Sequence, residues 1–231
     1  MTTNLLLAET SSDLSKSQRV YNYLRRRIRE LKIPPGTALN KNEIALECGV
    51  SRAPVSEAIA RLAREGLVDI FPQNGSFVSA IRPRDIRESM FIRTALEVAT
   101  IKRVAVLADK ELQSRLDEII EAQADALKQP ELDLVKFDDL DEALHAEIVG
   151  AVDLPHTKHL LEAARVLCDR PRFLTLPVDH RPEDTLTEHR RIVDAISTGD
   201  PEFAGAAMQA HLNNVSRVIE VTLAQIEKEN E

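Results

Sequence analysis

The most constraining feature of this sequence is the order of local patterns between residues 14 and 80. Three stretches there place apolar residues at helical spacing, and only residues 49–51 separate the second stretch from the third. After Gly66 the pattern changes to two short strands, and Asn74-Gly75, a dipeptide typical of hairpin turns, lies between them. Helix, short helix, tight turn, helix and hairpin together predict a winged helix-turn-helix, a domain that mixes helices with a small sheet.

Residues typical of helix ends set the predicted boundaries of these helices. Pro34-Pro35-Gly36 ends the first helix, because proline lacks a backbone donor and glycine permits a left-handed turn. Asn40, with Glu43 three residues later, begins the second helix, and Ser51 begins the third. Gly66 ends the third helix. The residues predicted to point inward from the third helix are Val55, Ile59, Leu62 and Ala63, and those predicted off that face are Arg52, Ser56 and Arg61.

The rest of the chain contains no convincing strand and is predicted to form an all-α bundle. Breaks that contain proline, glycine or aspartate separate six helical patterns, so the chain is expected to be mainly α. The predicted strands of the hairpin cover residues 67–71 and 76–80. The expected organisation is a flexible tail over 1–13, the winged helix-turn-helix over 14–80, a linker over 81–84 and the bundle over 85–231. The six predicted helices cover residues 84–108, 110–129, 134–152, 156–173, 183–198 and 201–228.

Composition excludes several classes of protein. Aromatic residues make up 3% of the chain and tryptophan is absent, which argues against a β-sandwich and against a stacking platform for single-stranded nucleic acid. The 7 glycines form no phosphate-binding loop, which argues against a P-loop or Rossmann enzyme. Cys48 and Cys168 match no zinc or redox spacing. With no apolar run of membrane-spanning length and no signal peptide, a cytoplasmic protein without membrane contact is expected.

Charge is unevenly distributed, and the uneven distribution points to DNA. Residues 1–82 contain 12 Lys and Arg against 8 Asp and Glu, whereas the remainder contains 18 against 30. A basic first third suggests that this third alone meets a polyanion. Arg52, in the first turn of the third helix, can contact a guanine or a phosphate in the major groove. The predicted DNA contacts are Ser51, Arg52, Ala53 and Ser56 in the major groove, Lys41 and Asn42 at a phosphate, and Asn74 and Gly75 in a minor groove.

Each of these interpretations has an alternative. A winged helix also serves for protein contacts, although the basic charge and the expected exposure of Arg52 favour DNA. The run Arg25-Arg26-Arg27 fits either a stripe of phosphate contacts or an ordinary solvated helix face.

The acidic part of the chain contains all 6 histidines. Asp141 and His145 are four residues apart, so one helix presents both on one face. Together with His189 and His211 from two further helices, they would form a site for a divalent ion. The alternative is a set of hydrogen-bonded core or surface residues without a metal, which is the commoner role of a single histidine on a helix.

Four segments of the first third follow one another in a specific order. They are Pro34-Pro35-Gly36-Thr37-Ala38-Leu39, Gly49-Val50-Ser51-Arg52-Ala53-Pro54-Val55, Glu57-Ala58-Ile59-Ala60-Arg61-Leu62 and Glu65-Gly66-Leu67-Val68. In this order they resemble the GntR family of bacterial transcription regulators, which implies a winged helix that binds duplex DNA. Ser56 and Asn42 stand where the family usually has arginines that contact DNA. The resemblance therefore implies the family's binding mode with a different operator sequence.

Four further segments resemble the FCD effector domain of the FadR-type branch of that family. They are Arg93-Thr94-Ala95-Leu96-Glu97, Asp141-Glu142-Ala143-Leu144-His145, Glu188-His189-Arg190-Arg191-Ile192-Val193-Asp194-Ala195-Ile196 and Met208-Gln209-Ala210-His211-Leu212. In metal-binding members, one aspartate and three histidines at these positions hold the ion. The resemblance thus implies Asp141, His145, His189 and His211 as ligands, and six bundle helices resemble the VanR-like subgroup. Asp153-Leu154 replaces the family's Gly-Asn, so that helix end is expected to differ.

The resemblance implies a ligand-responsive regulator without catalytic residues, most often a repressor, that binds a pseudopalindromic operator as a homodimer. One divalent ion (zinc, nickel, iron or manganese) would anchor a small organic acid in the bundle. Arg93 is the candidate partner of the effector carboxylate, with an ordinary ion pair to Glu97 as the alternative, and Asn213 is a second candidate. Two other functions remain open from the sequence: a metal-dependent hydrolase or lyase fused to a DNA-binding module, and a sensor of the metal alone.

Overall fold

The structure is a computed structural model that describes residues 14–175 and 181–229. The chain divides into two compact units, Met1–Arg82 and Pro83–Glu231. The tail predicted over residues 1–13 lies outside the described residues, and so does most of the break predicted between the fourth and fifth helices of the bundle.

The first unit is a winged helix-turn-helix, as predicted. Three helices precede two antiparallel strands, in which Val68 pairs with Val78 and Phe71 pairs with Gly75. Its elements are α1 (Lys16–Arg29), α2 (Lys41–Cys48), α3 (Arg52–Arg64), β1 (Val68–Phe71) and β2 (Gly75–Val78).

The predicted helix ends and core of this unit follow from its residue types. The Oδ1 atom of Asn40 accepts hydrogen bonds from the backbone N–H groups of Asn42 and Glu43 at 3.0 and 3.5 Å. Gly49 and Gly66 follow helix ends at φ values of 62° and 76°, which glycine adopts without steric cost. Burial of the apolar faces of α1 and α3 stabilises the unit. The side chains at most 1% exposed there are Val20, Leu24, Ile28, Val55, Ala58, Ile59 and Leu62.

Some local details of this unit differ from the prediction. Ser51 lies at the N-cap position of α3, but its side chain makes no capping hydrogen bond. Ala63 is half-buried, and Ala58, one turn after Val55, takes an inward position instead. In the hairpin, Phe71 pairs with Gly75 and leaves a three-residue loop between them, and both Gln73 and Gly75 have a positive φ, of 67° and 113°. The loop is therefore one residue shorter than the four-residue connection predicted from the sequence.

The second unit consists, in the part of the chain that the structure describes, of six helices, which confirms the all-α bundle. The first of them begins at Pro83, within the segment predicted as linker, and proline suits the first position of a helix. Pro171 lies inside the fourth helix of the bundle rather than ending it. The elements are α4 (Pro83–Leu107), α5 (Lys110–Leu127), α6 (Leu134–Gly150), α7 (Pro155–Thr175), α8 (Arg181–Ser197) and α9 (Pro201–Glu229).

The bundle surrounds an interior that contains both apolar and polar side chains. Helix α4 packs against α7 and α9, and α5 packs against α6 and α8. Leu116, Leu144, Ile192 and Leu212 belong to one apolar core cluster. The interior also contains carboxylates, imidazoles and guanidinium groups that are almost completely buried. Buried polar groups of this kind require partners, so their arrangement points to the functional site. Among the described helices, none is long and apolar enough to cross a membrane.

Candidate metal centre and nucleic-acid interface

Three helices of the bundle bring the four predicted metal ligands together. Helix α6 supplies Asp141 and His145 from one face, α8 supplies His189, and α9 supplies His211. One potential ligand atom from each residue lies within 4.8 Å of the corresponding atoms of the other three. All four side chains are at most 2% exposed. The geometry therefore forms a closed cluster of one carboxylate and three imidazoles.

A hydrogen-bond acceptor holds the Nδ1 atom of each imidazole. With Nδ1 donating a proton, the Nε2 atom of the neutral ring is the one that can bind an ion. The Nε2 atom of His189 lies 3.2 Å from Asp141 Oδ1. The three contacts join His145 Nδ1 to Glu97 Oε2 at 2.6 Å, His189 Nδ1 to Gln123 Oε1 at 3.0 Å and His211 Nδ1 to Glu188 Oε2 at 2.7 Å.

Several buried atoms of the cluster make no hydrogen bond in the part of the chain that the structure describes. They are both carboxylate oxygens of Asp141, Nε2 of His145 and Nε2 of His189. An unsatisfied buried polar atom costs about 1–3 kcal/mol, and a divalent ion would give all of these atoms a partner at once. The donor set thus fits a borderline divalent ion. The guanidinium of Arg172 lies against Oδ1 of Asp141 as an ion-pair partner.

Burial favours the neutral form of two of the imidazoles, those of His145 and His211. It lowers the pKa of His145 to about 3, and the nearby Arg165 acts in the same direction. Burial likewise lowers the pKa of His211 to about 4. Burial by itself would raise the pKa of Asp141, but the Arg172 guanidinium and the nearby His189 ring hold this pKa well below its usual range. A carboxylate and neutral imidazoles are the protonation states that bind a metal.

Arginines and carboxylates form ion pairs beside the cluster, and their positive and negative charges are equal in number. The Arg165 guanidinium lies 3.8 Å from Glu97 Oε1 and 3.9 Å from Asp141 Oδ2, and its Nη2 atom is buried without a hydrogen bond among the described residues. Three guanidinium groups thus meet three carboxylates. These are Arg93, Arg165 and Arg172 on one side, and Glu97, Asp138 and Asp141 on the other.

The two predicted effector residues lie in different environments. Arg93 is buried, and its Nε atom donates to Glu97 Oε1 at 2.8 Å, the ion pair that the sequence left as the alternative. Asn213 is exposed and accepts a hydrogen bond from Gln209 at 2.8 Å. Its neighbour Asn214 instead donates to Glu188 Oε1 at 3.0 Å, beside the cluster.

Sequence reasoning missed the residues that orient the histidines and face Asp141. A spacing signal existed for Asn214, which lies three residues after His211 on one helix face. Arg165 and Arg172 are seven residues apart on α7, two turns along one face. No such signal marked Gln123 as the partner of His189, because the two lie on different helices.

Most of the predicted DNA contacts are exposed in the first unit. Arg52, Ala53 and Ser51 are exposed at the start of α3, and Ser56 is half-buried one turn later. Asn42 is exposed and Lys41 half-buried at the start of α2, and Asn74 and Gly75 are exposed at the tip of the wing. The uncapped hydroxyl of Ser51 leaves its hydrogen-bonding capacity available to a ligand.

Other arginines of this unit have structural partners. The Arg61 guanidinium lies 3.7 Å from the centre of the Tyr21 ring and donates to Gln18 at 2.8 Å. Arg26 pairs with Glu30 at 2.7 Å, and Arg27 lies over the Tyr23 ring at 5.3 Å. These contacts favour a structural role for the arginine run of α1.

Comparison with known proteins agrees with both parts of the chain. The model of bacterial regulatory proteins of the gntR family matches residues 16–78, and the FCD domain model matches residues 88–214. The chain is 34% identical over 214 residues to an uncharacterized HTH-type transcriptional regulator in an unstable DNA locus of Streptomyces ambofaciens, covering 93% of this chain and 89% of that protein. It is 32% identical over 214 residues to the HTH-type transcriptional repressor RspR of Escherichia coli K12, covering 93% and 91%.

A solved structure shows the same fold. The structure of McbR/YncC from E. coli has a TM-score of 0.76 and 18% identity, and the match covers 94% of this chain and 100% of that chain. Both family models and the relatives describe transcriptional regulators rather than enzymes, so the hydrolase or lyase interpretation is set aside. The chain therefore belongs to the GntR family of bacterial regulatory proteins, in the FadR-type branch that carries an FCD domain, and is a DNA-binding transcriptional regulator.

Proposed function

We propose that this regulator is a repressor that binds a pseudopalindromic operator as a homodimer. Its FCD domain holds one divalent transition-metal ion, and that ion anchors a small carboxylate effector. The observation that carries the proposal is the buried cluster, in which Asp141 and two of the three Nε2 atoms lack a hydrogen bond while every Nδ1 atom has an acceptor.

The four ligands are Asp141, His145, His189 and His211. Imidazole and carboxylate suit zinc, nickel, iron or manganese, and four protein ligands leave positions free on a five- or six-coordinate ion. When bound, the ion supplies a Lewis-acidic position for a carboxylate oxygen. The acceptors at the Nδ1 atoms fix the tautomer and orientation of each ring, which supports binding.

Charge balance supports an anionic effector. The guanidinium and carboxylate groups around the cluster are equal in number, so a divalent ion adds two uncompensated positive charges to a buried site. An entering carboxylate reduces this excess. The buried Nη2 atom of Arg165 makes no hydrogen bond within the described residues and is the best-placed donor to that carboxylate. Arg93 and Asn213 remain predicted effector contacts. In the structure the Arg93 guanidinium forms an ion pair with Glu97.

A dimer follows from the size of one recognition helix. A single α3 reads few base pairs, and two-fold docking on successive turns of the major groove is the usual remedy. The name of the relative RspR supports the assignment as a repressor. Such a regulator meets its operator in the cytoplasm, which agrees with two free cysteines, both buried. The effector acts by shifting the dimer between DNA-competent and incompetent states.

Metal analysis together with operator binding tests the proposal. Purified protein is expected to contain one divalent ion per chain, and His189→Ala and His211→Ala are expected to lose it. His159→Ala is the matched control, because His159 is exposed on α7 and lies outside the cluster. In a thermal-shift screen of small carboxylic acids, a stabilising acid should also change operator affinity in wild type, and chelation should abolish that response.

Equal metal content in all four proteins would contradict the metal site. A response to the acid that survives complete removal of metal would contradict the anchoring role. An operator response to the metal, with none to any acid, would identify a sensor of the metal alone.

A further inference from the structure

Helices α8 and α9 enclose a surface groove whose wall includes one proposed metal ligand, His211. One part is a cavity of about 320 Å³, and a second cavity of about 270 Å³ adjoins it. The two cavities share Glu188, Arg191 and Asn214 in their walls. The shared wall makes them two ends of one groove, which we name the α8–α9 groove.

The two ends of the groove differ in chemistry. Arg181 and Arg217 line the first end, together with Asp184 and Thr187. The second end is apolar, and its walls include Phe203, Ala206, Ala207 and Ala210. The small alanine side chains leave space at this end, and the Phe203 side chain, which is 54% exposed, forms one of its walls.

The polar end contains arginines that are not engaged elsewhere. Within the described residues, neither Arg191 nor Arg217 has a hydrogen bond or an ion pair with another side chain, whereas Arg181 pairs with Glu188 at 2.9 Å. The acidic side chains of this end are Asp184 and Glu188, so its arginines outnumber its carboxylates by one. Free guanidinium groups in a cavity favour an anionic group, because each donates charge-assisted hydrogen bonds.

The floor of the groove is connected to the metal centre. Asn214 donates to Glu188 Oε1 at 3.0 Å, and Glu188 Oε2 lies 2.7 Å from His211 Nδ1. An anion held by Arg191 and Arg217 also attracts the Arg181 guanidinium, which lines the same end, and so leaves Glu188 freer to hold the Nδ1 proton of His211. The Nε2 atom of His211 then becomes a stronger metal ligand.

We propose that the α8–α9 groove is a second ligand site, specific for an amphipathic anion whose head group binds Arg191 and Arg217 and whose apolar body lies against Phe203 and the alanines. This site lies between α8 and α9 and shares His211 with the metal centre, whereas the proposed carboxylate position is on the metal itself. Its connection to the metal centre through Glu188 rests on the proposed function of that centre, whereas binding in the groove does not.

Phenyl phosphate is a suitable probe, because it combines a charged head with a compact apolar ring. Titration calorimetry on the full-length, metal-depleted protein should show binding that is about tenfold tighter than that of inorganic phosphate or phenol. The double variant Arg191→Gln, Arg217→Gln should bind phenyl phosphate about tenfold more weakly, as should Ala206→Glu, which places a negative charge at the apolar end. The matched control is Arg103→Gln, an exposed arginine on α4.

Phenyl phosphate that binds the double variant as tightly as wild type would overturn the site, and so would equal affinities for phenyl phosphate, inorganic phosphate and phenol. Linkage tests the connection separately. Saturating phenyl phosphate should tighten zinc binding about fivefold in wild type and leave it unchanged in the double variant. Unchanged zinc affinity in wild type would overturn the connection through Glu188. A protein that binds phenyl phosphate but no zinc would instead contradict the proposed metal centre.

Discussion

The Nδ1 atom of His145 lies 2.6 Å from the Oε2 atom of Glu97, and the other oxygen of this carboxylate accepts from Arg93 at 2.8 Å. Both carboxylate oxygens are therefore engaged, one by a proposed metal ligand and the other by a buried cation. Glu97 belongs to α4 and His145 to α6, so the contact also joins two helices of the bundle. One side chain thus contributes to stability and to the orientation of the proposed metal site.

Glu97→Gln tests both contributions. The amide removes the counter-charge of buried Arg93, and breaking a buried ion pair of this kind costs about 3–5 kcal/mol of unfolding free energy. The amide also weakens the hold on the His145 ring, so metal affinity should fall about 10–100-fold. Urea unfolding and a metal titration would measure these effects. Glu111→Gln, on the surface of α5, is the control, and a variant that matches it in both measurements would contradict the role of Glu97.

The buried imidazoles predict a pH-dependent stability of the metal-free protein. Burial lowers the pKa of His145 to about 3 and that of His211 to about 4, whereas in the unfolded chain both are near 6.5. Below pH 6.5 the unfolded chain therefore binds protons that the folded chain does not, and stability falls as the pH decreases towards 4. Each imidazole contributes a slope of up to about 1.4 kcal/mol per pH unit.

Urea unfolding between pH 7.5 and 5.5 would measure this slope. His156→Gln, which changes an exposed histidine, should leave the slope as it is in wild type. His211→Gln should reduce it, because the glutamine has no proton to gain on unfolding. Stability that stays constant across this range in wild type would show that the imidazoles are not held in a neutral, buried state.

The exposed start of α3 predicts the energetic role of Arg52 in DNA binding. Arg52→Ala should weaken specific operator binding by about 1–3 kcal/mol if the side chain contacts a base. Ser56→Arg should shift sequence preference towards that of the family, because this position usually carries an arginine. Fluorescence anisotropy at fixed salt measures both effects, with Arg103→Ala on the bundle as the control. Operator affinity equal to wild type in Arg52→Ala would remove this residue from the interface.

The proposed operator symmetry predicts a dimer formed mainly by the helical bundle. Sedimentation at micromolar concentration should give twice the mass of the 25.8 kDa chain, both with and without metal. A monomer under both conditions would contradict the dimer, and a dimer only with metal would assign the ion a role in assembly.

The sequence was sufficient to predict most of the fold, because local chemistry marks the ends of the elements. Asn40 begins α2 and Gly66 follows the end of α3 for reasons that act within a few residues. Helix α1 instead ends at Arg29, before Pro34-Pro35-Gly36, and Leu31 has a φ of 56°. The wing turn shows the limit of this reasoning. The sequence predicts four residues, 72–75, between the strands, but the register pairs Gly75 with Phe71, so that the loop has three residues, with positive φ at Gln73 and Gly75.

In the candidate site, likewise, some residues could be predicted from the sequence and others could not. Asp141 and His145 could be paired from spacing on one helix, His189 and His211 were added as histidines of two further predicted helices, and the resemblance to the family supported the set of four. Their partners could not be predicted, because Glu97, Gln123 and Glu188 reach the histidines across helix interfaces, at separations of 48, 66 and 23 residues. Such contacts depend on how the helices pack, which no local pattern specifies.

Arg172 gives the most discriminating prediction about the cluster. Its guanidinium lies against Oδ1 of Asp141 and 3.7 Å from Asp138, so in the metal-free state it neutralises the carboxylate that a metal would bind. A divalent ion and this guanidinium therefore compete for Asp141. Arg172→Gln should lower the unfolding free energy of the metal-free protein by about 3–5 kcal/mol, because it leaves a buried carboxylate without its cation.

The same variant should bind metal more tightly than wild type, because the repulsion between guanidinium and ion is gone. The rise in melting temperature on adding zinc should accordingly be larger in Arg172→Gln than in wild type. The exposed Arg103→Gln is the control for loss of a positive charge. Weaker metal binding in Arg172→Gln would reverse the assignment, because it would mean that Arg172 holds Asp141 in the position that the metal needs rather than competing for it.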